Sequence, residues 1–271
     1  MITEVRSSWQ VMRASITALF IRNIQKKFIT SINSSRSLGV FLVFFEPLLH
    51  VLIWMIMRVS MGLGASNGLS PPLFILLGAV PFLFIRNAAQ KSTGLIKANK
   101  ALFNFRQIRP IDPIIATILT ELSIGFVVFM ALLGVFSWVG MPWRVHNLGF
   151  LLANTCSFIL LATGLSLIMA IACFFFNIIK TMMTILTRVF YLLSGVFFNA
   201  DYLPEHLRNI LLCNPVFQYI EIIRQCFNTA TIHHDYTDPL YLFKCSIISF
   251  VFGLGLYVAS RERILIEIQQ R

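Results

Sequence analysis

The sequence predicts an all-α integral membrane protein with six transmembrane helices, and three observations carry that prediction. Of its 271 residues 57% are hydrophobic and only 12% charged, with a mean hydropathy of +0.79, whereas soluble domains hold about 25% charged residues. Several stretches reach the roughly 20 apolar residues that a helix needs to cross a hydrocarbon core about 30 Å thick. They are continuously apolar rather than alternating, which selects helices over the strands of a closed barrel.

Residues 1–37 lack the apolar core and small-residue cleavage site of a signal peptide. From Trp9 the apolar positions Trp9, Met12, Ile16, Leu19, Phe20, Ile24 and Phe28 recur at helical spacing, with Arg13, Thr17, Arg22 and Lys26 on other faces. This pattern predicts an amphipathic helix lying in the membrane interface, its basic side toward an anionic leaflet. Six spans follow, at about 38–57, 73–89, 114–138, 148–176, 182–199 and 240–259, with a tail over 260–271. Residues 200–239 mix aromatics, prolines and charges. They are too polar to span alone and too apolar for a linker, and read as short re-entrant helices dipping into the outer side of the bundle.

Six crossings put both termini on one side, and the basic residues say which. Fifteen Lys and Arg fall in the two tails, the 91–111 loop and at Lys180, against four in the opposite connections, Arg58, Arg144, Arg208 and Arg224. Positive residues favour the cytoplasm, so the termini and the 91–111 loop are expected there. The net charge of +11 is scattered between apolar spans, a distribution of topology and not of nucleic-acid binding.

Motifs for chemistry are absent. The chain has no GxxxxGK[ST], GxSxG or HExxH sequence. Its five cysteines form no CxxC and read as small hydrophobes, although Cys213 and Cys226 share one outer segment and are open to pairing. His233, His234 and Asp235 adjoin one another in a connection without further matched ligands, so no metal site is expected.

Two acids stand inside predicted spans. Glu46 lies about 12 Å into the first, before Pro47 and one turn ahead of His50; Glu121 lies in the third. Ionisable groups at that depth cost a few kcal/mol and face a bundle interior or an aqueous path. Both a hydrogen-bonded structural carboxyl and a pathway role stay open for each. The 26 Phe, 6 Tyr and 4 Trp are in part lipid-facing or packed. Those near Phe126, Phe129 and Phe136, and Tyr191, Phe197, Phe198 and Tyr202, would also let the C–H faces of sugars slide over rings.

With FEPLLH (45–50), NKALFNFRQIRPIDPIIA (99–116), Glu121 and the outer block from Ser194 to Arg224, the chain resembles the membrane-spanning permease of type 2 ABC exporters, specifically the capsular polysaccharide branch in Gram-negative inner membranes. The second motif is the one specific to that branch; the outer block is shared more widely. The resemblance implies a six-helix permease domain, a homodimer, and two copies of a separate ATP-binding subunit that holds ATP and Mg. It also implies a lipid-linked acidic polysaccharide as cargo, passed to periplasmic and outer-membrane export proteins.

On this resemblance Lys97, Lys100, Phe103, Phe105, Arg106 and Arg109 belong to coupling with the ATPase or to substrate uptake, while plain inner-side topology also accounts for the charges. Glu46, His50 and Glu121 are the intramembrane polar candidates. Phe197, Phe198, Tyr202, Pro204, Asn214, Pro215, Glu221 and Arg224 would shape an outer gate, with Glu221 and Arg224 spaced to meet on one helical face. Their alternative is a structural salt bridge. No catalytic residue is expected in this chain. The competing functions are export of O-antigen, teichoic acid or a small hydrophobic compound, an integral membrane glycosyl- or acyltransferase, and a scaffold for biosynthetic enzymes.

Overall fold

Helices build the described chain, which in this computed structural model comprises residues 7–29, 45, 48–57, 60, 68–105, 107–198, 200, 203–228 and 236–270. Glu46, Arg106 and Tyr202 lie outside these residues, as do His233, His234, Asp235 and much of the first predicted span. The helices are α1 (Ser8–Ile29), α2 (Leu48–Met57), α3 (Pro71–Ser92), α4 (Leu95–Ala98), α5 (Asp112–Trp138), α6 (Leu148–Phe175), α7 (Asn177–Leu193), α8 (Glu205–Leu212), α9 (Pro215–Phe227) and α10 (Pro239–Gln270). A 3-10 turn, Lys100–Asn104, follows α4. Among the described residues, α3, α5, α6 and α10 are long and apolar enough to cross a membrane.

Their starts follow local chemistry. Ser7 and Gln10 close a reciprocal box at the head of α1: the Ser7 hydroxyl accepts from the Gln10 amide at 3.3 Å and the Gln10 side chain from the Ser7 amide at 3.0 Å. The Asn147 side chain accepts from the Phe150 amide at α6, and that of Asn214 from the Val216 amide at α9, where Pro215 follows.

Central in the bundle is α3, buried along nearly its whole length from Pro72 to Ile85. It packs between α5, α6, α7 and α9. Beside it α6 and α10 form the closest pair, which Gly164 and Gly253 permit. A Cβ on Gly164 would stand 2.5 Å from the Phe250 nitrogen, and one on Gly253 would stand 2.7 Å from the Gly164 carbonyl oxygen. Small residues at such crossings let helix backbones approach.

Two predicted boundaries move. Over the fifth predicted span, 182–199, the helix is α7, which begins at Asn177, ends at Leu193 and is not among the four long apolar helices. The chain then turns at Gly195, whose φ of +74° lies in the left-handed region and whose missing Cβ leaves room for the Phe217 ring. The last predicted span continues as helix to Gln270, so the residues read as a tail extend α10. Cys213 and Cys226 are both free thiols, one exposed and one buried.

Candidate functional site

The candidate side chains gather at the two ends of α3. At its C-terminal end the chain leaves the helix through Thr93 and Gly94, forms α4 and the 3-10 turn, and re-enters helix at Asp112. The Asp112 carboxylate accepts the Arg109 amide at 3.0 Å, closing the loop just before α5. The loop residues divide by exposure. Phe103 is buried at 8% exposure, whereas Phe105 stands 63% exposed. Lys97 donates to the Asn177 side chain at 2.6 Å and lies 5.8 Å from the Phe174 ring, so it fastens the loop to the α6–α7 junction. Lys100 is half-buried and Arg109 exposed.

Helix α1 straps this end. Arg22 donates to Asn99 at 2.7 Å, Asn23 to the Thr117 hydroxyl at 3.5 Å, and Arg109 to the Ser8 hydroxyl at 3.2 Å. Buried between α1, α3 and α5, the Glu121 carboxylate receives Lys91 at 2.5 Å and Lys27 at 3.3 Å. The deep acid of α5 is therefore paired, one carboxylate shared by two ammonium groups. Burial lowers the pKa of Lys27 below the usual lysine value, against the attraction of Glu121 and with the help of nearby Lys91. Asn23 with Thr117 and Lys27 with Glu121 keep one offset, so α1 ascends alongside α5 in the same direction.

At the other end of α3, Arg224 of α9 is buried at 3% exposure. Its Nη1 donates to Glu221 at 2.9 Å and to the Gly195 carbonyl at 2.7 Å; its Nη2 donates to the carbonyls of Val196 at 2.9 Å and Phe74 at 3.3 Å. The guanidinium carbon lies 3.5 Å from the centroid of the Phe74 ring. A buried guanidinium needs this many acceptors because an unsatisfied one costs several kcal/mol. One side chain thus joins α9, the turn after α7 and the start of α3.

Aromatic rings form a second group around Tyr191. The Tyr191 ring meets His50 at 5.8 Å, Phe82 at 4.8 Å and Phe197 at 4.7 Å between centroids, and the Trp54 ring lies 3.5 Å from Phe197, tilted by 33°. Phe198 lies 6.2 Å from Phe217. Pro204 is exposed and precedes α8, and Asn214 and Pro215 set the start of α9.

The predicted pair of Glu221 and Arg224 is thus brought together, as are His50 and Phe197 through Tyr191, while the loop cations Lys97 and Arg109 diverge to separate partners. Sequence reasoning left Lys27 and Phe74 without a role and gave Arg22 only a place on the basic side of α1. Only the offset shared by two α1–α5 contacts would have pointed to Lys27, and that offset exists only once the helices are packed. Among the described residues, no group of His, Cys, Asp and Glu side chains is arranged to hold a metal ion.

Comparison with known proteins extends these observations. The profile of the ABC-2 type transporter family matches residues 9–228. The chain is 28% identical to the polysialic acid transport protein KpsM of Escherichia coli, covering 96% of this chain and 98% of that protein. It is 26% identical to the capsule polysaccharide export inner-membrane protein CtrC of Neisseria meningitidis, with 94% of each covered. With BexB of Haemophilus influenzae, described in the same words, it shares 27% identity over 85% of each.

Proposed function

The chain belongs to the ABC-2 type transporter family, and from that membership we propose that it is the inner-membrane permease subunit of an exporter moving lipid-linked capsular polysaccharide to the periplasm. The observation that carries the substrate assignment is the similarity, over 85% or more of the chain, to a polysialic acid transport protein and to two capsule polysaccharide export proteins. The chain works as a homodimer with two separate ATP-binding subunits, where ATP and Mg act. Both of its termini are cytoplasmic, and periplasmic and outer-membrane export proteins receive the polymer.

In this reading the 91–111 loop meets the ATPase. Phe105 is the exposed docking side chain, Arg106 and Arg109 add positive charge, and buried Phe103 holds the loop's shape. Lys97 and Lys100 lie where an acidic polymer enters. Ties from α1 to Asn99, Arg109 and Glu121 make loop, α1, α3 and α5 move together. From Lys91 to Phe74 the helix α3 runs about 26 Å, so a push at the inner end reaches the Arg224 junction. The gate is the outer segment with Phe197, Phe198, Tyr202, Pro204, Asn214, Pro215, Glu221 and Arg224. Glu46 and His50 line the path; Glu121 serves as the anchor of α1.

Deleting the gene in its host and locating the polymer by immunogold labelling tests this. Full-length polymer held in the cytoplasm is expected. Absence of polymer everywhere would instead favour a role in synthesis, and unchanged surface polymer would refute the substrate.

A further inference from the structure

A cavity of about 350 Å³ lies between α5 and α6, at the end of the bundle away from α1. Its floor is made by Phe84, Phe158, Tyr219 and Ile223, all buried. Its lips are Phe126 and Met130 on α5 and Leu148 and Leu152 on α6, between 48% and 62% exposed. The two hydroxyls in its wall, on Thr155 and Tyr219, bond each other at 2.9 Å and offer little to a polar guest.

Length and charge say what fits. From Leu148 to Ile159 the α6 wall rises about 16 Å, as does the α5 wall from Leu122 to Leu133, and half of a bilayer's hydrocarbon core is about 15 Å. The groove therefore spans one leaflet, from the α5–α6 connection to mid-membrane. At its mouth Trp143, fixed by donating to the Ser137 hydroxyl at 2.7 Å, closes one wall. Next in the chain stands Arg144, exposed. Tryptophan and arginine at this level match the headgroup region.

We propose that this groove holds one acyl chain of a bilayer glycerophospholipid, with its phosphate on Arg144. The site does not depend on the identity of the cargo, and it gives Phe126 and Phe129 to an acyl chain in place of the sugars over which the sequence would let them slide. It is tested on the full chain reconstituted in vesicles of a phospholipid carrying a mid-chain diazirine, with photolabelled residues mapped by mass spectrometry. Labelling is expected on Phe126, Leu152 and Tyr219 in excess of Ile248 and Phe252, which are exposed on α10. Arg144→Glu, a change at an exposed position, is expected to reduce groove labelling about fivefold while leaving α10 labelling unchanged. Gly125→Leu, which fills the groove, is expected to abolish it. Equal labelling of groove and α10, or groove labelling indifferent to Arg144→Glu, overturns the proposal. Label on α10 alone does so too, since a second copy or the cargo's own lipid would then cover the lips.

Discussion

Gly78 on α3 lies directly against the guanidinium of Arg224 on α9. A Cβ at Gly78 would stand 2.8 Å from Nη2 and 3.1 Å from the Val196 Cα. The side chain cannot swing aside without losing its carbonyl partners, so Gly78→Val is expected to destabilise the protein by about 1–3 kcal/mol. Thermal unfolding of the purified protein measures this, with Gly125→Ala as the control, because a Cβ there meets only the Phe84 Cβ, at 3.9 Å.

Arg224 and Glu221 should behave as a unit. Arg224→Met removes the cation that meets the buried Glu221 carboxylate at 2.9 Å, a loss of about 3–5 kcal/mol. Adding Glu221→Gln removes the buried negative charge and is expected to restore part of the folded yield. A double variant no better than Arg224→Met by size-exclusion profile would show that the carbonyl bonds to Gly195, Val196 and Phe74 dominate instead.

Glu121→Gln removes the negative charge that Lys27 and Lys91 share, one on each oxygen of the carboxylate. The prediction is looser seating of α1, seen as faster hydrogen exchange across residues 20–29, while α6 and α10 keep their protection. Lys27→Met should give a smaller effect in the same place, since Lys91 still holds the carboxylate. Unaltered exchange in α1 for both variants would remove the anchor role.

Phe103 and Phe105, two residues apart, predict opposite phenotypes. Phe105→Ala, at an exposed position, should change stability by no more than about 0.5 kcal/mol yet lower export and stimulation of the partner ATPase. Phe103→Ala should lower the protein level itself, because its ring is buried. If Phe105→Ala exports normally at normal level, docking rests on other residues. Arg106→Ala with Arg109→Ala, compared in the same export assay, identifies whether charge carries it.

Much of the bundle was legible because lipid imposes simple local rules. Length and continuity of apolar runs located α3, α5, α6 and α10, and helical spacing from Trp9 located α1. Asn214 followed by Pro215 marks the start of α9, and the three-residue spacing of Glu221 and Arg224 announced their pairing. The end of α7 was less readable: nothing apolar stops after Leu193, and the helix yields there to a turn whose room for Phe217 comes from another element.

The sequence by itself determined the class of protein, the positions of its long helices and where along the chain its charges fall, since hydropathy, period and charge count are properties of neighbouring residues. Tertiary structure alone decided what those charges do. Glu121 finds Lys27 across 94 positions, and Arg224 finds the Phe74 carbonyl across 150. Such partners are chosen by which helix faces meet. In a low-dielectric interior a buried charge is tolerated only where that meeting supplies opposite charge or carbonyl oxygens. The same packing made one acid an anchor between two lysines and one arginine the junction of three elements.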